Sequence, residues 1–106
     1  DFLKLDIEGA EFNALNGAKS LLQKKRIRYI QLEYNQTWIK GGGSIEKVLD
    51  LCKKYDYRLY RITKFGLLSI PSYHYVLDDF FYSNLLLVSS GEDLPMRIIK
   101  KALPFL

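Results

Sequence analysis

At Gly9 the spacing of apolar side chains changes, and that change constrains the fold more than any other feature of the chain. Before it, Leu3, Leu5 and Ile7 recur at every second position with Phe2 on the opposite side, the pattern of a β-strand. After it, Ala14, Leu15, Ala18, Leu21 and Leu22 recur at helical spacing while Lys and Gln fill the other face. A strand that stops at a glycine and runs into a helix is a β-to-α junction. The helix is expected over Ala10–Lys25. Asn16-Gly17 should kink it or split it in two, because an interior glycine costs roughly 1 kcal/mol relative to alanine.

The same alternation then repeats. Ile27–Tyr34 is rich in β-branched and aromatic residues, with Ile30 and Leu32 inside it and Glu33 near its end, and reads as a second strand. Gly41-Gly42-Gly43 suggests a flexible turn, Ser44 stands where an N-cap belongs, and Ile45, Val48, Leu49, Cys52 and Tyr55 mark a helix over Ile45–Tyr55. Tyr57–Thr63 reads as a third strand. Asn84–Ser89 reads as a fourth, whose unbroken apolar centre implies burial on both faces. Between them, a segment with Phe65, Tyr73, His74, Tyr75, Phe80, Phe81 and Tyr82 has no clear period and reads as a long loop. The order β-α-β-α-β-β predicts an α/β fold, half of a doubly wound sheet, with parallel strands joined by right-handed crossovers and an antiparallel last strand. Residues 1–90 are assigned to the domain and 91–106 to a C-terminal tail with room for a short amphipathic helix.

With 106 residues, 48% of them hydrophobic, the chain suffices for one compact core and not two. Its apolar runs fall far short of the ~20 residues a membrane-spanning helix needs. No secretory signal opens the sequence, and a cytoplasmic location is expected. Cys52, the single cysteine, lies on the apolar face of its helix and reads as an inert, buried thiol. The formal charge of +4 includes Lys19, Lys24, Lys25, Arg26 and Arg28 with no acid among them. Cations favour the negative end of a helix macrodipole, which explains this cluster more simply than a nucleic-acid or membrane-surface patch does.

In open α/β sheets ligands bind beyond the carboxyl ends of the strands. That rule selects Asp6, Glu8, Gly9 and Glu11 after the first strand and Glu33, Tyr34 and Asn35 after the second. Carboxylates gathered there can orient a substrate hydroxyl, accept its proton or coordinate a cation. Glu11 has an ordinary explanation as well, since an acid at a β-to-α junction suits the positive end of the helix; Asp6 is the residue assigned to chemistry. His74 is the only histidine, so no His-based metal site is expected, and no metal ligands are assigned. The eight tyrosines lack any accompanying RNA-binding signature. The triple glycine lacks the Lys-Ser/Thr of a phosphate loop.

The stretch FLKLDIEGAEFNALNGAKSLL resembles the characteristic segment of FkbM-type methyltransferases, in which a strand ending in Asp-x-Glu-Gly-x-Glu runs into a helix with a Gly-Ala pair. Here Asp6, Glu8, Gly9 and Glu11 carry the pattern and Gly17-Ala18 follows. IRYIQLEYN, SIEKVL, DYRLYRI and SNLLLVS come in the order that family shows. The resemblance implies the C-terminal half of a Rossmann-like class I methyltransferase sheet, its fourth to seventh strands. It also implies an S-adenosylmethionine-dependent methyl transfer to a hydroxyl of a sugar, polyketide or similar small molecule. On this reading Asp6 and Glu8 are catalytic, Asp6 and Gly9 face the cofactor, and Glu11, Glu33, Tyr34 and Asn35 face the acceptor. The half carrying the main cofactor-binding motif would be a missing partner, the isolated chain inactive, and the open edge at Phe2 to Ile7 a place for dimerisation. The competing readings are a non-catalytic interaction module built on the same half-fold and a basic nucleic-acid-binding domain.

Overall fold

The computed structural model describes residues 2–5, 9–24 and 27–93, together with the backbone of 98–99. β1, Phe2–Leu5, pairs in parallel with β2, Tyr29–Tyr34, in a register that sets Phe2 against Tyr29 and Leu5 against Leu32. The connecting helix divides where its glycine weakens it: α1 covers Glu11–Gly17 and α2 covers Lys19–Gln23. At the joint, the Ala18 N–H donates to the carbonyls of both Ala14 and Leu15, a tightened turn that keeps the break hydrogen-bonded. Of the basic cluster, Lys24 caps α2 and Arg28 lies 3.7 Å from Glu92, while Lys25 and Arg26 are outside the described residues.

The segment after β2 is more ordered than a flexible glycine turn. A short helix α3, Thr37–Gly41, buries Trp38 completely, and the indole N–H donates to the Glu33 carbonyl at 2.8 Å. Trp38 and Ile39 side by side in so short a run give no helical period, so only the tertiary contact marks this helix. α4, Ile45–Tyr55, keeps the bounds its periodicity predicts, and the Ser44 hydroxyl accepts from the Lys47 N–H at 3.1 Å.

β3, Tyr57–Thr63, turns at once through Lys64-Phe65 into β4, Gly66–Ser69, so Phe65 opens a hairpin rather than a long loop. Lys64-Phe65 is not one of the Asn-Gly-type pairs that announce such a turn. The Thr63 hydroxyl stabilises it locally, donating to the Gly66 carbonyl at 2.9 Å and accepting from the Phe65 N–H at 3.1 Å. A single 3-10 turn at Tyr75–Leu77 precedes β5, Ser83–Ser89. Ile98–Ile99 forms β6, parallel to β4; the remainder of the tail beyond Asp93, where a short helix was expected, lies outside the described residues.

The strands make one six-stranded mixed sheet in the order β1-β2-β5-β3-β4-β6. β5 lies between β2 and β3 and is antiparallel to both, so β2 and β3 run in the same direction one strand apart. This is an α/β fold whose last long strand is antiparallel, as the element order predicts. Leu15 of α1, Leu22 of α2, Trp38 of α3 and the apolar face of α4 all join one core with Ile30, Leu32, Leu59, Leu85 and Leu87. Alternate β5 residues Leu86 and Val88 join Tyr60 and Leu67 in a smaller cluster of their own. The run Leu85–Val88 is therefore buried on both faces of the sheet. Among the described residues no helix is long and apolar enough to cross a membrane.

Candidate functional site

Because β1 and β2 are parallel neighbours, their carboxyl ends open on the same side of the molecule. Asp6 and Glu8 lie outside the described residues. The chain is described again from Gly9, whose φ of +96° favours glycine. The Gly9 N–H donates to Oε1 of Glu11 at 2.9 Å, and Glu11 is fully buried. A Cβ at Gly9 would stand 2.6 Å from the Thr37 carbonyl oxygen, and one at Gly41 would collide with the Gly9 carbonyl oxygen. The turn after β1 is thus packed backbone to backbone against α3.

At the end of β2, Asn35 is the joint. Its Oδ1 accepts from the Thr37 N–H at 2.9 Å and from the Thr37 hydroxyl at 2.5 Å, while its Nδ2 donates to Oε1 of Glu33 at 3.3 Å. Through Thr37 the structure brings Gly9 and Glu11 from one strand end together with Glu33 and Asn35 from the other. Tyr34 is turned into the core, edge-on to Trp38 at 5.1 Å and stacked on Phe80 at 5.5 Å. Its hydroxyl donates to Oδ1 of Asp78 at 2.9 Å and accepts from the Phe80 N–H at 3.0 Å. Burial raises its pKa well above the ordinary phenol value, and the nearby Asp78 adds to this, although the Phe80 N–H opposes it. Tyr34 is a neutral donor under all ordinary conditions.

Sequence reasoning missed Asp78. Its carboxylate accepts from the Ile45 and Glu46 N–H groups at 2.7 and 3.3 Å, and from the Tyr34 and Tyr73 hydroxyls at 2.9 and 2.8 Å. One side chain therefore caps α4 and fastens the aromatic loop to β2. No local pattern announces it, because its partners come from 33 and 44 residues away in the chain as well as from nearby. Burial, followed by the hydrogen bond to Asp78, pushes the Tyr73 phenol up to about 12. His74 caps the 3-10 turn, its Nδ1 accepting from the Val76 N–H at 3.2 Å, and stacks on Tyr75.

Between the end of β2 and this loop lies a cavity of about 300 Å³ lined by Asn35, Gln36, Thr37, Phe80, Phe81 and Tyr82. Among the described residues no ionised side chain lines it, and it adjoins the turn at Gly9 through Thr37. The described residues do not by themselves fit S-adenosylmethionine. The Gly9 N–H is held by Glu11 and the space beside its Cα is filled by Thr37, leaving no open cradle there. Among the described residues no group of His, Cys, Asp and Glu side chains is placed to hold a metal ion.

No curated protein and no solved structure matches the chain. The family model for the methyltransferase FkbM domain matches residues 1–59, more than half of the 106, from the start of the first strand segment through α4 to Leu59 in β3. The matched span contains both strand ends and the joint between Gly9, Thr37 and Asn35. The chain belongs to the methyltransferase FkbM domain family.

Proposed function

We propose that this chain is the acceptor-side part of an S-adenosylmethionine-dependent O-methyltransferase with a Rossmann-like class I sheet, acting on a hydroxyl of a sugar, polyketide or similar small molecule. The observation that carries the reading is the parallel pairing of β1 and β2 in a member of the FkbM family, which puts the carboxyl ends of these two strands on one side of the sheet. The antiparallel β5 set among parallel strands supports the sheet assignment.

Methyl transfer is an in-line displacement, so the protein's part is to position the acceptor oxygen and assist loss of its proton. Asp6, which follows β1 directly, orients the acceptor hydroxyl or takes its proton, with Glu8 as a supporting acid. Asp6 is this chain's share of the cofactor side, whereas Gly9, expected there from the sequence, is occupied by Glu11 and Thr37 and serves to let the turn approach α3. Glu11, Glu33, Tyr34 and Asn35 form the acceptor side, where Glu11 and Tyr34 act by holding backbone in place. The cofactor supplies the methyl group when the complete domain binds it. The isolated chain is expected to be inactive.

The internally occupied surroundings of Gly9 favour a second reading, a non-catalytic interaction module built on the same half-fold. Calorimetric titration of S-adenosylmethionine into this chain and into a longer natural form separates the two. Binding by the longer form alone, with turnover lost in its Asp6→Asn variant, is expected. Absence of binding in both forms would leave the interaction module; normal turnover in the variant would remove Asp6 from the chemistry.

A further inference from the structure

Phe80 has a φ of +60°, a conformation that bulky side chains avoid and that tends to persist where surrounding contacts enforce it. Those contacts are present: its N–H donates to the Tyr34 hydroxyl, its ring stacks on Tyr34, and Tyr34 is tied to Asp78 two residues earlier. The enforced kink sends the next two side chains outward. Phe81 is 70% exposed and Tyr82 64%. Large apolar side chains grouped in water beside a cavity mark a binding surface.

We propose that the cavity between Asn35–Thr37 and Phe80–Tyr82 is the acceptor subsite, with Phe81 and Tyr82 as its specificity-determining residues, for an uncharged sugar ring. The assignment rests on the methyltransferase reading and deepens it. An aromatic face takes the apolar C–H face of a ring, while the exposed Gln36 amide and the Asn35-Thr37 pair offer neutral donors and acceptors to its hydroxyls. Among the described residues the walls carry no cation to receive an anionic ligand. On the loop side the carboxylate of Asp79, which accepts from the Phe81 N–H at 2.9 Å, repels anions. Lys40 borders the adjoining surface around Ile39 and not the cavity itself. Asp78 is a positioning residue here, since it holds the loop that presents the two rings.

The test is a nuclear magnetic resonance titration of the 106-residue chain, without methyl donor, using methyl α-D-glucopyranoside and, as the charged counterpart, methyl α-D-glucuronate. The neutral glycoside should shift the Gln36 side-chain amide and the Phe81 and Tyr82 ring signals saturably, and bind more tightly than the glucuronate. Phe81→Ala and Tyr82→Ala, both at exposed positions, should each weaken it by roughly threefold to tenfold, the usual worth of one aromatic contact. Shifts confined to other regions, equal binding by both variants, or preference for the glucuronate would overturn the subsite. Because no methyl donor is present, failure here leaves the methyl-transfer reading standing. Conversely, glycoside binding by a longer form that never binds S-adenosylmethionine removes methyl transfer and leaves the subsite.

Discussion

Asp78 concentrates more of the molecule's specificity than any other described side chain, because four donors from three parts of the chain converge on its two oxygens. Asp78→Ala should lower unfolding free energy by roughly 2–4 kcal/mol, since it strands the buried Tyr34 hydroxyl and uncaps α4 together. Urea denaturation measures this, and a loss below about 0.5 kcal/mol would mean the loop is held by packing alone. The buried thiol of Cys52 sets a pH dependence. Burial pushes it from its ordinary 9.0 up to about 12, while Tyr34, Tyr57 and Tyr73 are raised for the same first reason. In each case the unfolded chain releases the proton before the folded one, so stability is full below about pH 9 and falls as pH climbs towards 12. Cys52→Ala should begin less stable but decline less steeply across that window in denaturation series at stepped pH.

At the level of the elements, α3 is the piece whose existence depends on neighbours. Gly41→Ala places a methyl group against the Gly9 carbonyl oxygen, and neither partner is a flexible side chain that can move aside. A loss of about 2–3 kcal/mol is expected from overpacking, measurable as a lower midpoint in thermal unfolding, whereas an unchanged midpoint would mean that the two backbones separate freely. The contrast with α4 explains what was legible in the sequence. Ser44, Glu46 and the spacing of Ile45, Val48, Leu49 and Cys52 all point to one helix, so local and tertiary signals agree. Alternation likewise revealed β1, β-branched and aromatic content β2, and an unbroken apolar run β5. Thr37–Gly41 and the β3–β4 hairpin stayed hidden, because one depends on burying Trp38 and the other uses Lys64-Phe65 where turn-forming residues would announce it. The site divides in the same way. The strand-end rule reached Gly9, Glu11, Glu33 and Asn35 because it needs only strand direction. Asp78 and the outward turn of Phe81 and Tyr82 arise from contacts across the chain, which no local spacing encodes.

For the molecule as a whole, the sheet ends at β1, where Phe2 is 59% exposed and no described strand pairs with the outer edge. An apolar open edge invites pairing with another chain. Sedimentation velocity should show self-association that weakens in Phe2→Lys; a monodisperse monomer at high concentration would contradict this. The position of β5 has a different consequence, for the timing of assembly. Residues 83–89 hydrogen-bond on both flanks to strands that precede them in the chain, and until they arrive β2 and β3 stand about two strand spacings, roughly 10 Å, apart. A nascent polypeptide emerging in order can acquire its helices early, yet it has a vacant slot through the middle of its sheet until nearly the last described residues are made. A version stopping at Tyr82 should therefore melt broadly by circular dichroism rather than in one step. A sharp transition would show that the slot can close without its occupant.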